Sequence, residues 1–445
     1  MRHVPAIFQI LWRLAVIMGT FLSYGFFLPS ILIKIVFFPI YLVSLVFALR
    51  GARRNRLKRA LERLGPVFIK LGQSASLKPY LFQEWIVTAC RDLQDSVSPV
   101  KINITNAMPA TLRDDISEID QTPIACGSIA QVYRATLKNG DAIAIKIIKH
   151  GAHELIEIDI KILLCFAEIL NRFAKFKPFK LHAVVQSTHE TLLSEQNLMN
   201  EARHAQQIAM NAIANNRMYV PKVYIQHSTS NILVTRWVDG ESVFSLKNTS
   251  NVRRCMVIKN IISVCMEQIY VHGFFHADIH PGNILIKKDN VVAFVDFGIV
   301  GRLSADDSRY ILDIIRFFTQ KKYTKVVESY VSAKYVPTNI RVSEFLADIE
   351  SIGGTMGGVS FKISHFMKQL FSIMYKHNIE VQEALLLVYK NMLYLESVVS
   401  IVDSNFDLMS EISLWIKKRR VSAIIGDFVD VLLSVVPTCI KNGAK

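Results

Sequence analysis

Residues 129–148 break the period of the rest of this chain. Ile129–Ala135 and Ala142–Ile148 alternate side chains with a two-residue repeat on either side of Asn139-Gly140-Asp141. Asn-Gly between two such runs is the strongest short-range hairpin signal, because both residues tolerate the positive φ that a tight turn demands. Elsewhere the apolar period is mostly helical, over His153–Phe173, Val184–Ala214, Val252–Val271 and from Asp306 to Lys418 with a break at Gly353–Gly358. Further short strands are predicted at Val220–Ile225, Ile232–Val238, Ile284–Ile286 and Val291–Val295. A few strands set between helical tracts make an α+β chain, with helices first, then a small mixed lobe at 123–240, then a mainly helical lobe. At 445 residues each lobe can bury a core of its own.

Three separated segments carry chemistry in this frame. The first, Ala125-Cys126-Gly127-Ser128-Ile129-Ala130-Gln131-Val132, runs from small residues into the hairpin, whose second strand holds Lys146. Small residues let backbone N–H groups approach a phosphate, and a strand lysine neutralises it. In the second, Asp278 and Asn283 stand five apart, the spacing of the base aspartate and metal-binding asparagine in kinase catalytic loops. The third is Asp296-Phe297-Gly298, eighteen residues after Asp278. Asp296 and Asn283 offer hard oxygen ligands to Mg²⁺. Lys146 would clamp phosphates, and Asp278 would orient or deprotonate a hydroxyl acceptor. An acid must hold Lys146, and the candidates are Glu195 and Glu201 on the predicted Val184–Ala214 helix. His276 and His280 flank Asp278 and are expected to brace its loop by hydrogen bonds.

From Leu14 to Leu49 the only ionisable side chains are Tyr24, Lys34 and Tyr41, and Arg50, Arg53, Arg54, Arg56, Lys58, Arg59 and Arg63 follow with one acid, Glu62. Grease followed by base predicts membrane attachment with the basic side in the cytoplasm. Leu28–Leu49 is long enough for one span. A hairpin broken near Pro29 and Ser30, or an interfacial helix before a single span, are both open. The net charge of +15 then points to an anionic bilayer surface. Nucleic acid is excluded as a partner, because the base abuts grease and not an aromatic-rich face. Near the end, Val421–Ile440 is interrupted by Gly426, Asp427, Asp430 and Pro437 and reads as an amphipathic or dimer-packing helix. The six cysteines form no CxxC pair, and no Gly-x-Gly-x-x-Gly flavin fingerprint is present.

Together these blocks resemble the UbiB family, also called ABC1 or ADCK atypical kinases, from about Leu64 to Val300 and more weakly beyond. Phe68-Ile69-Lys70-Leu71-Gly72-Gln73 is similar to the family's KxGQ motif, and Leu93-Gln94-Asp95 follows it. Ala125–Val132 stands where the alanine-rich nucleotide loop stands, Phe274–Leu285 resembles the catalytic stretch, and Asp296–Gly298 the metal-binding triplet. The resemblance implies a protein-kinase-like bilobal fold with an N-terminal helical extension. Its segments would be a membrane-anchoring 1–56, a KxGQ extension 57–122, an N-lobe 123–240 and a helical C-lobe 241–445. It implies ATP or ADP with Mg²⁺ as cofactors, and Lys70, Gly72 and Gln73 as regulatory residues on a helix that covers the nucleotide site and blocks peptides. It further implies a kinase or ATPase supporting ubiquinone biosynthesis at the cytoplasmic face of a bacterial inner membrane, acting on a lipid or small molecule. A nucleotide-binding scaffold with little turnover is the alternative, and direct hydroxylation of a polyprenylphenol is less favoured. Expected partners are anionic lipids, isoprenoid quinone precursors, other proteins of the pathway and a second copy of the chain. The sequence departs from the family at Gly127, where alanine is usual, and at Asn197, where Glu195-Gln196-Asn197 replaces Glu-x-Asp. The second departure makes Glu201 the favoured partner of Lys146.

Overall fold

The computed structural model describes residues 6–24, 53–76, 82–91, 104–173, 180–212, 216–353, 362–379 and 383–419, with the single positions 93, 99 and 102. The predicted span Leu28–Leu49, the Gln94-Asp95 pair and the predicted helix Val421–Ile440 lie outside these residues. The chain divides into two compact units. One takes residues 1–207, 221–238 and 296–299, and the other takes 208–220, 239–295 and 300–445.

The first unit opens with four helices, α1 (Ala6–Ser23), α2 (Arg53–Leu64), α3 (Pro66–Ser76) and α4 (Glu84–Arg91). Gly65, at φ +101°, takes the left-handed turn that separates α2 from α3. Pro66 then starts α3, where a missing N–H costs nothing. Leu61, Leu64, Val67, Phe68 and Ile69 bury against Cys90 and Leu93, and Ile17 and Phe21 of α1 pack on the same core. After the short helices α5 (Ile104–Ala107) and α6 (Ala110–Asp115) come β1 (Ile116–Ile119), β2 (Ala125–Cys126), β3 (Ala130–Leu137) and β4 (Ala142–Ile148). The hairpin predicted around Asn139-Gly140 is β3–β4, with Val132 opposite Lys146. Gly140 supplies the positive φ, and the Asp141 N–H donates to the Asn139 side chain.

Two helices, α7 (Ala152–Asn171) and α8 (Leu181–Glu195), lead to α9 (Leu198–Ala212). The single helix expected over Val184–Ala214 is therefore two. The break has a local cause: Asn197 Oδ1 accepts from the Met199 N–H at 3.1 Å, capping α9. Asn caps a helix as well as Asp does, so the departure at this position keeps the local structure while removing the charge. The chain next gives β5 (Met218–Tyr219) to the second unit and returns with β6 (Ile232–Arg236). The strand expected at Val220–Ile225 is reduced to a single antiparallel bridge, Val223 with Thr235 of β6, flanked by hydrogen bonds from the Tyr224 N–H to the Val234 carbonyl at 2.9 Å and from the Arg236 N–H to the Lys222 carbonyl at 2.8 Å. The sheet of the first unit runs β1-β3-β4-β6, with β2 on β3. Its Tyr133, Ile143, Ile145, Ile147 and Val234 face Ile104, Met108 and Leu112.

The second unit holds β7 (Glu241–Ser242), α10 (Asn251–Tyr270), β8 (Phe274–His276), β9 (Ile284–Ile286), β10 (Val292–Phe294) and β11 (Val300–Arg302). It continues with α11 (Ala305–Thr319), α12 (Tyr323–Ser332), α13 (Val342–Gly353), α14 (Ile363–Lys376), α15 (Glu383–Val402) and α16, residues 408–419. Strands β5-β10-β9-β7 form one small sheet and β8–β11 a second. Gly301 is required on β11, since a Cβ there would lie 2.1 Å from the Phe275 ring.

The structure reaches only the start of the apolar run, and the expected span Leu28–Leu49 lies outside the described residues. Residues 14–23 are the end of α1, which packs against α2 and α7, and its apolar stretch Ile7–Phe21 is too short for a full span. Arg13, in its middle, is buried: its Nε and Nη2 donate to the two Asp159 carboxylate oxygens at 2.6 and 2.7 Å, and its Nη2 also donates to the Leu64 carbonyl. Among the described residues the one helix long and apolar enough to cross a bilayer is near the other end, Leu385–Val402 of α15, with mean hydropathy 1.5. Leu395, Val398, Val399 and Val402 are buried in the second unit, as a core helix requires.

Candidate nucleotide and catalytic-loop sites

The two-residue period of β4 decides where Lys146 points. Ile143, Ile145 and Ile147 are buried in the sheet core, so Lys146 extends from the opposite face. That face is covered by α9, whose Leu198 and Ala202 pack on Leu233 and Ile148. Glu201 sits in the first turn of α9, and Lys146 Nζ donates to its two carboxylate oxygens at 3.0 and 2.8 Å. Lys146 Nζ also donates to Asp296 Oδ2 at 2.8 Å. The triplet that starts with Asp296 is fixed by the same helix: the Phe297 N–H donates to Glu201 Oε1 at 3.3 Å, and His204 Nδ1 meets the Phe297 carbonyl at 3.0 Å.

Lys146 is shared between two carboxylates, and the two acids act on each other. Burial pushes the Glu201 carboxyl up to about 7, the Asp296 charge pushes the same way, and Lys146 offsets only part of this. For Lys146 burial works against the ammonium, but the Asp296 and Glu201 carboxylates outweigh it and hold it above the ordinary lysine range. Of the two acids Asp296 is the accessible one, with a side chain 41% exposed against 5% for Glu201.

The Ala125–Val132 segment is a small hairpin of its own. Ala125 pairs with Val132 and Cys126 with Gln131, and the Gly127 N–H donates to the Ala130 carbonyl at 2.9 Å. Lys149 Nζ donates to the Gly127 carbonyl at 2.6 Å, a tether that no local sequence pattern announces. On α3, Lys70 makes an ion pair with Glu195 at the end of α8, both side chains being largely buried. The two candidate glutamates thus have separate lysines, Glu201 with Lys146 and Glu195 with Lys70. Gly72 lies where a Cβ would come within 2.3 Å of Leu93 Cδ1, and Gln73 Nε2 donates to the Leu93 carbonyl at 3.4 Å.

In the second unit the loop from Asp278 to Asn283 is braced from within. The Asp278 N–H donates to His276 Nδ1 at 3.0 Å, the Gly282 N–H to His280 Nδ1 at 3.1 Å, and Asn283 Nδ2 to the Asp278 carbonyl at 3.0 Å. From α15, Lys390 Nζ meets Asp278 Oδ1 at 2.7 Å, and Asn391 Nδ2 donates to the His276 carbonyl at 2.6 Å. Neither α15 residue belongs to any of the motifs read from the sequence.

A strand lysine held by a helix glutamate, beside an Asp-Phe-Gly triplet, defines a protein of the kinase-like class. Residues 92–330 match the ABC1 atypical kinase-like domain, and residues 358–407 match the UbiB helical domain. The chain is 32% identical to the "Probable protein kinase UbiB" of Photobacterium profundum over 82% of its own length and 69% of that protein. It is also 32% identical to the protein of the same description from Erwinia tasmaniensis, over 88% and 76%. A solved structure, the Rv3197–erythromycin complex from Mycobacterium tuberculosis, shares the fold with a TM-score of 0.52 at 19% identity, covering 81% of this chain and 94% of that one. The chain belongs to the ABC1/UbiB family of atypical kinases.

Proposed function

We propose that this protein binds ATP with Mg²⁺ and transfers or releases the terminal phosphoryl group, in support of ubiquinone biosynthesis at the cytoplasmic face of a bacterial inner membrane. The observation that carries the reading is the ion-pair cluster of Lys146, Glu201 and Asp296. Its exposed carboxylate, Asp296, has the hard oxygen chemistry that a divalent cation takes. The family resemblance assigns Mg²⁺ to Asp296 of the first unit and to Asn283 of the second. Among the described residues no three His, Cys, Asp or Glu side chains are grouped to hold a metal alone. When bound, Mg²⁺ supplies charge neutralisation on the nucleotide phosphates. Lys146 binds phosphate oxygens, Glu201 holds Lys146 in place, and Asp278 accepts the proton of a hydroxyl acceptor or orients a water.

A lipid or small-molecule acceptor fits the KxGQ extension, whose helix α3 is tied to α8 by Lys70–Glu195. Attachment to an anionic membrane is supported by the exposed stripe Ile7, Phe8, Leu11 and Trp12 on α1, together with the basic helix α2. The test is Mg²⁺-dependent ATP turnover with anionic vesicles and a prenylphenol mimic, compared with Lys146→Met and Asp296→Asn. Turnover lost in both variants is expected. Nucleotide binding without turnover under every condition, with Asp296→Asn supporting quinone synthesis in cells, would instead favour the scaffold reading. That reading draws on the loss of charge at Asn197.

A further inference from the structure

The catalytic loop Asp278-Ile279-His280-Pro281-Gly282-Asn283 contains no Lys or Arg. Its aspartate nonetheless has a cation, delivered from far along the chain. Lys390 is only 9% exposed, and its Nζ lies 2.7 Å from Asp278 Oδ1. An ammonium on an otherwise apolar helix would normally extend its stem toward water. Here it is turned inward, with its Nζ 5.4 Å from the centre of the Tyr394 ring one turn along. Tyr394 in turn stands edge-on to His280 at 6.1 Å. The neighbouring Asn391, 1% exposed, fixes the backbone of the same loop through the His276 carbonyl. Two adjacent polar residues of α15 are therefore buried for contacts with one loop. Core packing gives no reason for either of them, since an apolar helix of this kind is best served by Leu or Met.

We propose that α15 is a working part of the catalytic loop, and that Lys390 is the positioning residue for Asp278. This rests on the phosphoryl-transfer reading above. Its ammonium fixes the rotamer of the carboxylate, so that the proton of an acceptor hydroxyl has a base aimed at it. Lys390 reaches Asp278 from α15, and from the same segment His276 meets its backbone N–H while His280 Nε2 lies 4.0 Å from Oδ2. The same geometry explains why a helix apolar enough to cross a bilayer is held inside the second unit.

The experiment has two independent arms on the full-length protein. In the first, Lys390→Met is expected to lower kcat for Mg²⁺-ATP turnover by about 10²-fold with KM for ATP within about twofold. Lys390→Arg should recover about a tenth or more of the lost kcat. A purely structural role would lower Tm without the split between kcat and KM and without rescue by arginine. In the second arm Lys390→Met, Asp278→Asn and the double variant are compared by Tm, which needs no turnover. The double variant should be more stable than the two single losses added together, because each single change strands a buried partner. Wild-type protein without turnover would sink the phosphoryl-transfer reading and the positioning role with it, whatever the Tm values show. Normal wild-type turnover with an unchanged Lys390→Met kcat, or additive Tm losses, would overturn the role of Lys390 alone.

Discussion

Replacing Arg13 with Met tests how α1 is held. Arg13 is 6% exposed and Asp159 is 0% exposed, and the guanidinium forks onto both carboxylate oxygens while also satisfying the Leu64 carbonyl. Methionine fills much of the volume but leaves the carboxylate uncompensated. Removing one partner of a buried pair costs about 3–5 kcal/mol. At about 2–4 °C per kcal/mol for a unit of this size, Tm should fall by roughly 6–20 °C. The effect has a pH signature. Burial already holds the Asp159 carboxyl above its ordinary value, with Arg13 pulling it back. An acid whose folded pKa is raised binds protons better folded than unfolded, so its contribution to stability declines as pH rises through that window. Without Arg13 the window widens upward. The Tm gap between wild type and variant should thus be largest at pH 8 and narrow toward pH 5. Calorimetry at both pH values, with Arg13→Met/Asp159→Leu as a control, checks this. The double variant should regain most of the loss. A fall of less than about 2 °C, or an equal gap at both pH values, would refute the claim that α1 is pinned by this pair.

Lys146→Met should cut ATP turnover by about 10²–10³-fold, read in a coupled ATPase assay with Mg²⁺. Glu201, pushed up to about 7, takes up a proton in the folded state between its ordinary 4.5 and that value. Its contribution to apoprotein stability therefore falls as pH rises from 4.5 to 7, and the Tm gain from adding Mg²⁺ should be larger at pH 8 than at pH 6. Glu201→Gln should flatten that difference. Gly72→Leu places atoms where even a Cβ meets Leu93 at 2.3 Å, and should destabilise by at least about 1–3 kcal/mol by chemical denaturation.

Much of the first unit is legible from local pattern. The two-residue period and Asn139-Gly140 give the β3–β4 hairpin, and that period also sets Lys146 on the face opposite Ile145 and Ile147. The choice between Glu195 and Glu201 depends on a single cap. Asn197 splits the predicted helix, so the two acids stand on different helices and reach different lysines. What local pattern misses is long-range charge inside apolar helices. Arg13 reads as the edge of a membrane segment until Asp159, 146 residues away, meets it. Lys390 reads as an interruption of a greasy helix until the fold brings it to Asp278. A buried ion pair is visible in sequence only when both partners are, and hydropathy averages conceal one of each pair.

On the proposed reading, a cation or nucleotide held at the Lys146–Glu201–Asp296 cluster would bind the native chain and stabilise it by RT ln(1 + [L]/Kd). At a hundred times Kd that is about 2.7 kcal/mol, a displacement that thermal melting resolves easily. Metals, nucleotides and their combinations can therefore be ranked on this protein before its acceptor is identified.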